Sequence, residues 1–77
     1  MTYNVFLSEL EFIAIRNGLR LCMNRAPVGC GINFYFRHDK TGAYSDVIVY
    51  FHDKETAESL FCRLEALAKK FKKELNS

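Results

Sequence analysis

No apolar run in this sequence approaches the roughly 20 residues that a membrane-spanning helix needs. The first residues hold no basic segment followed by an apolar core and a small-residue cleavage site, so secretion is not expected either. Cysteine is sparse and odd in number: Cys22, Cys30 and Cys62, with no Cys-x-x-Cys pair. A secreted domain this short that relied on disulfides would carry more cysteines, in even number. Reduced thiols and a cytoplasmic location are therefore expected. Charge of one sign is not in excess. Eleven basic and nine acidic residues leave a net charge of +2, unlike the strongly basic balance of a dedicated nucleic-acid binder. There is no internal repeat, no low-complexity linker and no catalytic motif.

What is present is a core. Apolar residues make up 49% and aromatics 14% of the 77 residues, which argues against disorder and for one small domain spanning residues 1–77. A chain this short buries a modest fraction of its surface and is marginal alone. So many aromatics need cover, and a partner or a homodimer is expected.

Along the chain, Tyr3–Leu7 reads as a short strand or extended arm. Ser8-Glu9-Leu10-Glu11 fits a capping box, which predicts a helix from Ser8 to about Met23. Asn17-Gly18 gives a rival reading, a hairpin turn between Phe12–Arg16 and Leu19–Met23; the capping signal favours the helix. Residues 24–31, with Pro27 and three residues Gly29-Cys30-Gly31, read as a loop. Residues 32–37 and 44–51 read as an antiparallel hairpin. Pairing Arg37 with Asp46 sets Phe36 opposite Val47, Phe34 opposite Val49 and Ile32 opposite Phe51, giving one wholly apolar face. Asp53 is a candidate N-cap for a last helix. Ala57, Leu60, Phe61, Leu64, Leu67, Ala68, Phe71 and Leu75 recur there at helical spacing. The expectation is an α+β fold: a small two-layer domain of order (β)αββα, its hairpin packed against two helices.

The second face of that hairpin carries the main candidate site: Asn33, Tyr35, Arg37, Ile48 and Tyr50, with Asp46. Aromatics beside Arg are enriched at protein interfaces and also stack single-stranded bases. The plainer reading is a face covered by another layer or a second subunit. Lys69, Lys70, Lys72 and Lys73 could contact phosphates, but they also complement the negative end of a helix dipole. Cys30 and His52 would be neighbours across the hairpin, a pairing that can activate a thiol, but no third orienting group accompanies them. The spacings of Cys22, Cys30, His38 and His52 match no zinc pattern, and the two histidines fall at opposite hairpin ends, about 20 Å apart. No metal and no cofactor are expected. The leading function is a non-enzymatic protein-protein interaction module, an adaptor or an inhibitor of a larger complex such as phages and mobile elements encode. A nucleic-acid binder using the Tyr/Arg face and the lysine-rich helix ranks second, and a Cys/His thiol enzyme last.

Overall fold

The computed structural model describes residues 1–27 and 29–76; Val28, in the expected loop, lies outside the described residues. The order is α1 (Tyr3–Arg16), β1 (Arg20–Arg25), β2 (Ile32–Arg37), β3 (Ile48–Tyr50) and α2 (Ala57–Leu75). The strands form one antiparallel sheet in the order β1-β2-β3. Both helices lie on one side of it, and the shortest molecular extent, 17 Å, leaves room for two layers only. The α+β class and the hairpin against two helices match the sequence reading. The N-terminal stretch and residues 20–25 do not.

Tyr3–Leu7 is helix, not strand. Thr2 caps it, its hydroxyl accepting the Val5 N–H at 3.2 Å. Phe6, Leu7, Leu10, Ile13 and Ala14 then fall on one helical face and enter the core. Ser8, expected to start the helix, sits within it. The helix stops at Asn17, well short of Met23. Gly18, at φ +68°, donates to Ile15 O at 3.0 Å, and Leu19 donates to Ala14 O at 2.9 Å. This is a Schellman cap, with buried Leu19 closing over Ala14. Asn17-Gly18 is a turn signal after all, but one that joins a helix to a strand. The chain leaves it extended, and β1 pairs along β2 from Arg20↔Arg37 to Arg25↔Ile32.

The β2–β3 register differs by one residue from the expected one. Ile32 faces Tyr50, and Phe34 faces Ile48 rather than Val49. Arg37 bridges Tyr44, not Asp46. Two residues of β2 thus oppose three on the returning strand, which is a β-bulge. Ser45 builds it. Its N–H donates to Phe36 O at 2.9 Å, and its hydroxyl accepts the Phe36 N–H at 2.9 Å while donating to Asp46 O. The bulge turns Ile48 and Tyr50 toward the helices and leaves Val47 and Val49 exposed.

The last helix begins after Thr56, whose hydroxyl accepts the Ser59 N–H at 3.1 Å. Asp53, the expected cap, lies in the preceding turn. Leu60, Leu64, Leu67, Ala68 and Phe71 are buried, with Phe61 and Leu75 packed beside them. They meet Leu10 and Ile13 of α1 and Phe34, Phe36 and Tyr50 of the sheet in one core.

Candidate functional site

With both helices on one side, the other face of the sheet is uncovered. Strand alternation decides which residues stand on it. Asn33, Tyr35 and Arg37 of β2 face Asn24, Cys22 and Arg20 of β1. Val49 flanks Asn33 on the far side, and Tyr44 flanks Arg37. Asn33 donates to the Asn24 side-chain oxygen at 3.0 Å. The Tyr35 and Tyr44 rings meet edge to face, with centroids 5.8 Å apart. The Arg37 guanidinium lies 6.0 Å from the Tyr44 ring centre. Tyr44 is 61% exposed.

One carboxylate organises the charged end of this face. Asp39 accepts from Arg20 Nε with both oxygens at 3.1 Å and from Arg37 at 2.5 Å. The Arg20 hydrogen bonds, supported by Arg37, hold the Asp39 carboxyl below the usual carboxylate range. Two guanidinium groups around one carboxylate leave a net positive corner. Their shared partner also fixes the Arg37 side chain at low entropic cost on binding. At the far end, Arg63 of α2 reaches the Val49 carbonyl at 3.3 Å and Glu55 at 2.5 Å, tying helix to sheet. The Glu55 carboxyl is held low by Arg63 first, against the opposing effect of burial, with Ser59 adding to it.

Of the residues expected here, Asn33, Tyr35 and Arg37 stand on the open face. Tyr50 does not. It is 6% exposed and packs 6.0 Å from Phe6 and 6.2 Å from Phe34. Ile48 is half-buried against the same core. Arg37 and Asp46 are not neighbours, and Asp46 instead meets Lys70 at 3.2 Å. Tyr44, Val47 and Val49 take the vacated places; an alternation read without a bulge could not have shown this. Lys69, Lys70, Lys72 and Lys73 are all exposed. Helical spacing places Lys69 and Lys73 opposite the buried face of α2, on the side of the molecule away from the open sheet.

Cys30 and His52 line one cleft of about 600 Å³, together with Met23, Asn24 and Arg25. All three cysteines are free thiols. Among the described residues no three His, Cys, Asp or Glu side chains gather as metal ligands would. No described helix is long and apolar enough to cross a membrane. Comparison with protein-family models, curated proteins and solved structures gave no match.

Proposed function

We propose that this chain is a non-enzymatic interaction module of the cytoplasm that docks its open sheet face on a protein partner. It would act as a small adaptor or as an inhibitor of a larger complex, of the kind phages and mobile elements encode. The observation that carries this reading is the uncovered face itself, where the Tyr35–Tyr44 pair stands beside Arg37 and exposed Val47 and Val49. Aromatic side chains anchor interfaces because they bury large area with few rotors to freeze, and Arg is enriched beside them at the residues that carry binding energy. The positive corner at Arg20 and Arg37 favours an apolar partner surface with acidic groups at its rim.

Nucleic-acid binding is the second class. It loses one stacking ring because Tyr50 is core. It also needs one ligand to touch both the tyrosines and the lysines, and Lys69 and Lys73 stand on the opposite side of the molecule. A thiol enzyme would use the Cys30/His52 cleft, but among the described residues no side chain hydrogen-bonds His52 to orient it, and Asn24 in that cleft is engaged by Asn33 instead.

The test is capture from the native host with tagged wild-type chain, Tyr44→Ala, Arg37→Ala and a variant with Lys69, Lys70, Lys72 and Lys73 neutralised. The face variants should lose the partner while stability stays within about 1 kcal/mol of wild type. The lysine variant should keep it, and nuclease should change nothing. Loss of the partner with nuclease, or only in the lysine variant, with a steep salt dependence, would replace this reading with the nucleic-acid one.

A further inference from the structure

Strand β1 is an edge, since among the described residues it pairs with β2 alone. The Ala26 N–H donates to Gly31 O at 3.0 Å, continuing the β1–β2 register as a hydrogen-bonded pair. Such pairs alternate along an antiparallel ladder. Even-numbered residues of β1 therefore turn their backbone groups toward β2. Leu21, Met23 and Arg25 turn theirs outward, unpaired among the described residues. Their side chains stand on the helix side of the sheet, yet Met23 is 43% exposed there. Helix α1 explains why. Its C-terminal end lies by Leu21, sharing a cleft lined by Glu11, Ile15, Leu21 and Asp39. Its N-terminal end lies by Ile32 and Tyr50. It crosses β1 obliquely and leaves the Met23–Arg25 half of the edge bare.

We infer that this edge is the seat of a second copy of the chain, added antiparallel about a two-fold axis through Met23 to give a six-stranded sheet. This inference is independent of the proposed function. That register is self-complementary. It pairs Met23 with Met23 of the second copy and Leu21 with Arg25 of the second copy, so all three outward residues gain both backbone hydrogen bonds. No like charges face each other, because Arg20 falls opposite Ala26. The exposed Met23 side chains cover one another. Charge points to the same occupant. Arg16, Arg20, Arg37 and Arg63 each meet a carboxylate. Among the described residues Arg25 is the arginine without one, and Glu11 has no cation either. Placing Arg25 of the second copy opposite Leu21 brings its stem against Ile15, which is 67% exposed, and its guanidinium toward Glu11. The two-fold makes this contact twice. A strand edge about 20 Å long is by itself a narrow contact for an interface of roughly 800 Å² per partner. The Ile15/Glu11 side of α1 widens it.

Sedimentation of the full chain at micromolar concentration tests this. Wild type should run at twice the 8.9 kDa chain mass. Arg25→Glu and Glu11→Arg should each weaken the dimer about tenfold or more, and the double exchange should restore it to within a few-fold. Met23→Pro removes an outward N–H that β2 does not use, so it should give a folded monomer with an unchanged far-UV spectrum. In wild type the Met23 amide should exchange more slowly as protein concentration rises. A wild-type monomer at millimolar concentration overturns the proposal. So does a dimer indifferent to Arg25→Glu and Met23→Pro, and so do two single exchanges that the double fails to rescue.

Discussion

The position of Tyr50 carries much of the account, and Tyr50→Ala tests it. An unbulged hairpin would put this ring on the open face, where truncation costs a few tenths of a kcal/mol. The bulge at Ser45 puts it at 6% exposure against Phe6 and Phe34. Truncating a buried aromatic to Ala costs about 3–5 kcal/mol through lost transfer energy and the cavity left behind. A chain of this length has roughly 4–12 kcal/mol of stability in all, so one substitution removes a large share. With a urea dependence of about 1 kcal/mol per M, the midpoint falls by several molar, or the variant is unfolded without denaturant. Tyr50→Phe keeps the ring and should stay within about 1 kcal/mol of wild type, because no described residue hydrogen-bonds the hydroxyl. Urea titration followed by circular dichroism reads both. A Tyr50→Ala chain as stable as wild type would refute the register, and with it the composition of the open face.

Leu64 is fully buried between the helices and the sheet; Leu64→Ala should cost about 2–5 kcal/mol, and a loss of a few tenths would mean that α2 is not core. At Gly31 an added Cβ would lie 2.8 Å from Phe51 and 3.1 Å from Val49. Gly31→Ala should cost about 1–3 kcal/mol by overpacking, and a neutral result in thermal melts would show that Phe51 swings away freely. Asp39 and Glu55 have carboxyl groups held below their unfolded-state values. Their contribution is therefore complete above about pH 5 and is lost as pH falls through the lower folded-state values. Asp39→Asn and Glu55→Gln should each flatten the acid fall in urea midpoint, and an unchanged acid limb would contradict the pairing with Arg20 and Arg63.

The sequence made α2 legible because its apolar residues keep helical spacing through a lysine-rich, otherwise polar segment. The hairpin was legible as strands but not in register. Val47, Ile48, Val49 and Tyr50 are apolar at every position, so alternation cannot choose which parity faces inward. The choice falls to the Ser45 hydroxyl, which takes the place of a strand partner for the Phe36 N–H. Similar ambiguity hid the first boundary. Phe12–Arg16 and Leu19–Met23 are each nearly continuously apolar, and Asn17-Gly18 between them suits a hairpin turn or a helix C-cap equally. Leu19 folding back over Ala14 decides it. The Thr2 cap was overshadowed by the Ser8–Glu11 box, which is a stronger pattern but lies inside the helix. Tyr35 and Arg37 were found because β2 alternates cleanly; Tyr44 was missed because it flanks the bulge.

Docking of the uncovered sheet face on a protein is tested by a photo-reactive benzophenone side chain placed at Val49, on that face, and separately at Lys69, on the outer side of α2, with each variant irradiated in the native host. A protein adduct of one defined mass that survives nuclease is expected from the Val49 position, with none from the Lys69 position. Adducts from the Lys69 position alone, or a Val49 adduct that nuclease removes, would contradict it.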